Sequence, residues 1–248
     1  MMLRAALGFF TRLPIGSAPL PPTFQGVAVW LPVVGLIIGA LVSLALGLAA
    51  QLLPASLCGV IGCLVWVAVT GGLHLDGVAD CGDGLIVEAP PARRLEIMKD
   101  SRLGTFGGAA LFFILALKAA ALGALAGTFQ ADGSGPDAFA SLLLSCCLAG
   151  TLARCMVSRQ CAFPRRVRAG SRSPARSGTS RHELIALAIG LGICAVNGVR
   201  GLYALAIALL AAYLLLSAAK KRLGGVTGDV FGCLVELTEC VVLIVCCV

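Results

Sequence analysis

Nine of the 12 acidic residues in this 248-residue chain fall into two short segments. Six lie between His74 and Phe106: Asp76, Asp80, Asp83, Glu88, Glu96 and Asp100. Asp229, Glu236 and Glu239 lie near the C-terminus, and only Asp132, Asp137 and Glu183 fall elsewhere. In the run His74-Leu75-Asp76-Gly77-Val78-Ala79-Asp80-Cys81-Gly82-Asp83-Gly84, the aspartates are spaced i, i+4, i+7. A helix there carries all three on one face. Three like charges repel, and where water is scarce they call for a cation. Carboxylate oxygens suit Mg²⁺, Mn²⁺ or Ca²⁺, and Mg²⁺ typically takes one or two carboxylates plus substrate phosphates. The interleaved glycines let a bulky ligand approach the backbone. A solvated helix end is the plainer reading, but like charges serve it poorly. His74 is open between metal ligand, substrate contact and structural hydrogen bond.

Asp229 and Glu236 are seven residues apart and share a helical face, with Glu239 about 60° away. Acids inside an apolar run normally face the bundle interior and mark a functional site. The alternative is an intramembrane clamp to Lys118 or Arg154. Gly224-Gly225-Val226-Thr227-Gly228-Asp229 makes a flexible entry to this helix. A third group, Lys99-Asp100-Ser101-Arg102-Leu103-Gly104-Thr105-Phe106-Gly107, combines cations, hydroxyls and glycines. Arginine forks and backbone N–H groups of that kind cradle phosphate; alone, the segment reads equally well as a basic membrane flank. Metal, carboxylates and cations together are the equipment of phosphoryl transfer, where catalysis is positioning and charge neutralisation.

The elements that must position these groups are transmembrane helices. The chain is 59% hydrophobic and only 12% charged, against about 45–50% and 25% for soluble domains. This excludes a soluble globular enzyme, a disordered chain and a disulfide scaffold. Continuous apolar stretches exclude a β-barrel, which alternates. A span needs about 20 mostly apolar residues. Seven segments are expected: 27–53, 56–73, 107–127, 139–157, 184–199, 201–219 and 230–248, with 184–199 the shortest. The fold class is therefore all-α, a polytopic membrane bundle forming one catalytic domain over 1–248. Lys and Arg gather at the start, in 74–106, in the basic loop 159–181 and in 220–229. These segments are expected on the cytoplasmic side, with the N-terminus inside and the C-terminus outside. No cleavable signal peptide is evident, because the first apolar run is too long and follows Arg4, Arg12 and several prolines. The 12 cysteines include no C-x-x-C pair and lie mostly in apolar stretches, so they read as small apolar fillers.

Residues 74–84, the run Arg93-Arg94-Leu95-Glu96-Ile97-Met98-Lys99-Asp100-Ser101-Arg102-Leu103-Gly104-Thr105-Phe106-Gly107, and Gly224-Gly225-Val226-Thr227-Gly228-Asp229-Val230-Phe231-Gly232-Cys233-Leu234-Val235-Glu236-Leu237 resemble the cobalamin synthase family. Phe9-Phe10-Thr11-Arg12-Leu13-Pro14 resembles that family's start. The four blocks occur in order over nearly the whole chain. Cys81 departs mildly, standing where the family often has a small residue, and the 159–181 loop is longer and more basic than the family pattern. The resemblance implies a Mg²⁺-dependent enzyme of the bacterial or archaeal cytoplasmic membrane, an adenosylcobinamide-GDP ribazoletransferase. Such an enzyme joins adenosylcobinamide-GDP to α-ribazole or its 5′-phosphate and releases GMP. No nucleic-acid partner is expected, and the oligomeric state is open.

Two other readings compete. A CDP-alcohol phosphotransferase would place Asp at position 73 and Arg after Ala79, where this chain has Leu73 and Asp80. A cation or proton transporter would use intramembrane acids, but typically shows paired repeats, which are not evident here. For the ribazoletransferase reading, Asp76, Asp80 and Asp83 are expected to bind Mg²⁺, with Asp229 and Glu236 completing the site. Lys99, Arg102 and Arg12 are expected to neutralise the diphosphate, and His74, Ser101 and Thr227 to contact substrate. Asp83 is the expected general base and Asp100 the reserve. The 159–181 loop is expected to sit on anionic lipid.

Overall fold

A computed structural model describes residues 2–16, 25–161 and 181–248. Eleven helices account for nearly all of these residues, and no strand occurs among them: α1 (Met2–Phe10), α2 (Gln25–Ala28), α3 (Leu31–Ala49), α4 (Ala55–Thr70), α5 (Leu75–Ile86), α6 (Pro91–Ile97), α7 (Thr105–Ala131), α8 (Pro136–Cys161), α9 (Arg181–Val196), α10 (Gly198–Leu223) and α11 (Gly228–Cys246). Most of the basic loop, residues 162–180, lies outside the described residues.

Each of the seven expected spans is helical. Four helices are long and apolar enough to cross a bilayer by themselves: α3, α7, α8 over Pro136–Ser158, and α10. A fifth candidate is the pair α4 and α5, which is bent by 96°. The remaining two of the seven are α9, whose apolar part is only Leu184–Val196, and α11, which carries three carboxylates. The expected 74–106 loop is itself largely helical, as α5 and α6.

The bend has a local cause. Helix α4 ends in a left-handed cap at Gly71 (φ 66°), and Gly72 follows at φ 67°. Two successive positive φ values are cheap only for glycine. The chain restarts as α5 at nearly a right angle, so α5 runs across the end of α4 instead of extending the span.

Helices pack through small residues, as expected where lipid removes the hydrophobic drive for helix association. A methyl on Gly35 would collide with the Gly150 carbonyl of α8, and one on Gly59 with the Ala119 carbonyl of α7. Outward faces are apolar: Phe112, Phe113, Leu202, Leu210, Tyr213 and Leu214 are all exposed. A surface of that extent is covered by lipid. Eleven cysteines are described, all free thiols and nine of them buried, which fits the filler reading.

Candidate active site

Helix α5 presents Asp76, Asp80 and Asp83 at the expected helical spacing. Helix α11 meets it at the other end of the sequence. Gly77 is pressed against the backbone carbonyl of Asp229, and Gly232 packs on the backbone of His74. A β-carbon at position 77 would collide with that carbonyl, so glycine is what allows the approach. Asp229, in the first turn of α11, thereby joins the α5 aspartates. Thr227 is the N-cap of α11, its Oγ1 accepting the Val230 N–H at 3.3 Å.

Asp80 sits at the centre of this group. Its proton affinity is pushed up to about 6, first by burial, then by the charges of Asp76, Asp229 and Asp83. This is the like-charge effect that two or more carboxylates exert when they share a site. A divalent cation would relieve it, so the donor set fits one. Among the described residues no three His, Cys, Asp or Glu side chains form a ready cage. A Mg²⁺ held by these aspartates would take one or two carboxylates and fill its remaining positions with water and phosphate.

Asp83 does something that spacing could not show. Its Oδ2 accepts the Gly104 N–H at 2.7 Å and its Oδ1 the Gly107 N–H at 2.8 Å. It caps the N-terminus of α7 from another helix, satisfying two of the donors a helix start leaves open. A β-carbon at Gly104 or Gly107 would strike the Asp83 carboxylate. With both oxygens held in this way, Asp83 is a clamp between α5 and α7.

The C-terminal end of α5 is closed by Arg94, a residue not singled out by sequence reasoning. Its Nε donates to the Ala89 carbonyl at 2.7 Å, and its Nη1 to the Gly84 and Leu85 carbonyls at 3.0 and 2.9 Å. Arg222 adds a bond to the Leu85 carbonyl at 2.5 Å. The available signal was a cation shortly after a helix end, where carbonyls lack partners.

The phosphate-binding expectations fare unevenly. Arg12 is exposed beside the elbow: its backbone N–H donates to the Val69 carbonyl at 2.7 Å and its side chain lies over Gly71. Lys99 and Ser101 are exposed between α6 and α7. Arg102 forks onto Asp100, with Nε to Oδ1 at 3.0 Å and Nη2 to Oδ2 at 2.6 Å. That pairing holds Asp100 down at about 2, so Asp100 is weakly basic. His74 opens α5, is 5% exposed, and stacks on Phe10 at 6.2 Å.

Glu236 belongs to a different group from the one expected. It accepts from Lys118 Nζ at 2.5 Å, and Glu239 accepts from the same nitrogen at 2.6 Å and from Arg154. This is the clamp that the sequence left as the alternative. Helical periodicity placed Glu236 on the face of Asp229, but two turns further along the helix, where Lys118 is its neighbour.

A family model for cobalamin-5-phosphate synthase matches residues 2–247. The chain belongs to that family. Relatives named adenosylcobinamide-GDP ribazoletransferase include one from Synechococcus sp. (strain ATCC 27144 / PCC 6301 / SAUG 1402/1), 35% identical over 97% of this chain and 93% of the relative. The Klebsiella pneumoniae (strain 342) relative is 35% identical over 95% of this chain and 94% of its own length. That of Escherichia coli (strain K12) is 34% identical over 97% and 96%. No solved structure matches the chain significantly. Family membership decides against the CDP-alcohol and transporter readings. The protein is a membrane-embedded transferase of cobalamin synthesis.

Proposed function

We propose that the protein transfers the adenosylcobinamide-phosphate group of adenosylcobinamide-GDP to a ribose hydroxyl of α-ribazole or of its 5′-phosphate, releasing GMP. The names of its relatives support the substrates. The single observation that supports the chemistry is the field that three carboxylates, Asp76, Asp229 and Asp83, exert on Asp80. The attacking oxygen bonds to the phosphorus attached to the corrinoid aminopropanol, the bond from that phosphorus to the GMP oxygen breaks, and the hydroxyl proton must leave.

Asp76 and Asp229 would hold Mg²⁺, which when bound supplies charge neutralisation at the diphosphate. Asp80 takes the hydroxyl proton, because its neighbours raise its proton affinity while Asp83 is engaged with Gly104 and Gly107. Asp83 fixes α5 against the start of α7, with Lys99, Ser101 and Arg102 just before it. Lys99, Ser101 and Arg12 serve the departing nucleotide, while Arg102 is engaged with Asp100. The site opens on the cytoplasmic side of a bacterial inner membrane, where Lys and Arg gather, and the whole chain acts as one catalytic unit.

Membranes containing the protein, supplied with adenosylcobinamide-GDP, α-ribazole and Mg²⁺, should release GMP only when the acceptor is present. CMP release from a CDP-alcohol, with no GMP from the corrinoid, would overturn the assignment.

A further inference from the structure

Lys118, Arg154, Glu236 and Glu239 are the most deeply buried charges in the described structure, each no more than 2% exposed. They come from three helices: Lys118 from α7, Arg154 from α8, and both glutamates from α11. Two cations meet two carboxylates, so the cluster is neutral. Lys118 Nζ also lies 5.1 Å over the Trp66 ring of α4. His74, at the start of α5, lies within electrostatic reach of Arg154, Glu239 and Lys118. None of these four charges has a part in the proposed chemistry.

Buried ion pairs contribute little net stability, because desolvation offsets most of the attraction, and apolar pairs of similar volume commonly do as well. What they do impose is a fixed relation between the helices that carry them. That relation matters here because of a closed triangle. Helix α5 is joined to α7 by Asp83 and the Gly104 and Gly107 N–H groups. It is joined to α11 where Gly77 abuts Asp229. The third side, α7 to α11, is Lys118 with Glu236 and Glu239. The carboxylates sit at one corner. Seven residues of helix, about 10 Å at 1.5 Å per residue, separate Glu236 from Asp229. A slip of α11 against α7 therefore moves Asp229 against Asp76 and Asp80 by the same amount.

We propose that the Lys118–Glu236–Glu239–Arg154 cluster is a positioning device for the acidic site: it sets the height of α11 so that Asp229 faces the α5 aspartates. The proposal rests on the reading of Asp229 as a metal ligand, and the test separates the two. The readouts are Mn²⁺ binding to purified protein by electron paramagnetic resonance, which needs no turnover, and the thermal midpoint in EDTA. In Lys118→Met/Glu236→Met, Glu239 keeps Arg154 as its partner. This variant should melt within a few degrees of wild type yet bind Mn²⁺ at least about tenfold more weakly. Wild-type Mn²⁺ affinity in it overturns the inference and reduces the cluster to a structural pair. If the double variant does not accumulate, Glu236→Gln, which retains an acceptor for Lys118, carries the same test. A loss of about threefold is then expected, and unchanged affinity overturns the inference. Asp229→Asn is measured alongside. Wild-type Mn²⁺ affinity there overturns Asp229 as a ligand; weakened binding in the cluster variant would still identify the cluster as positioning the remaining carboxylates.

Discussion

Two aspartates three residues apart on α5 should respond to substitution with opposite signs. Asp80 is ionised at a cost. Its ordinary value of 3.8 is pushed up to about 6, by burial first and then by Asp76, Asp229 and Asp83. For an acid raised in the folded state, the penalty appears as pH climbs past 3.8 and is complete above about 6. A shift of roughly two units corresponds to about 3 kcal/mol, but the carboxyl is only half-buried and solvent screening reduces this to about 1 kcal/mol. Asp80→Asn should therefore raise the thermal midpoint by about 2–4 °C at pH 7.5 in EDTA. The gain should shrink to roughly half near pH 5 and vanish only below about pH 3.8, where Asp80 is protonated in the folded and unfolded chain alike. Asp83 works in the other direction, since its two backbone hydrogen bonds cap α7. A capping bond contributes about 1 kcal/mol and the helix dipole adds several tenths. Asp83→Ala should cost about 2–3 kcal/mol, or roughly 5–10 °C at this chain length. Both variants should lose most turnover, Asp80→Asn by losing the proton acceptor and Asp83→Ala by losing the clamp. The assay is a fluorescence-detected melt of protein in detergent, paired with GMP release. A destabilised Asp80→Asn would refute the like-charge field, and an Asp83→Ala protein melting with wild type would refute the cap.

Other outcomes follow from the same geometry. Turnover should fall about tenfold per pH unit on the acid side of a limb at or below about pH 6, because bound metal pulls Asp80 down from its raised value; a limb persisting in the residual activity of Asp80→Asn would exclude Asp80 as the proton acceptor. Gly77→Ala should push α11 off α5 and weaken Mn²⁺ binding in a resonance titration; wild-type affinity would show that the contact is dispensable. Reporter fusions at Ser134, in the α7–α8 turn, and at Arg93, on α6, should fall on opposite sides of the membrane; a shared side would reject the topology.

The parts of the site legible in the sequence were those governed by helical period. The spacing of Asp76, Asp80 and Asp83 gave a helix with one acidic face, and the acids of the last span pointed to the bundle interior. Period gives face but not depth, and that is why Glu236 was grouped with Asp229 when its partner is Lys118. The α4–α5 elbow depends on the backbone angles of Gly71 and Gly72, which a pair of glycines permits but does not dictate. The clamp from Asp83 to Gly104 and Gly107 spans more than twenty residues and pairs a side chain with backbone donors, leaving no pattern to read. Arg102 looked like a phosphate fork, and its fork is filled by Asp100 two residues away. Hydropathy located seven of the eleven described helices, α3, α4 and α7 to α11, while the short helices α1, α2 and α6 and the bend after α4 left no hydropathy signal.

The central claim is that an alcohol attacks the corrinoid-side phosphorus of a nucleotide-activated substrate at the α5–α11 carboxylates. Its most direct test is to follow that phosphorus. Adenosylcobinamide-GDP labelled with ³²P at the corrinoid-bound position, incubated with protein in liposomes, Mg²⁺ and α-ribazole, should deliver all of the label to the cobalamin product and none to GMP. Label recovered in GDP, or label transfer undiminished in Asp80→Asn, would contradict the account.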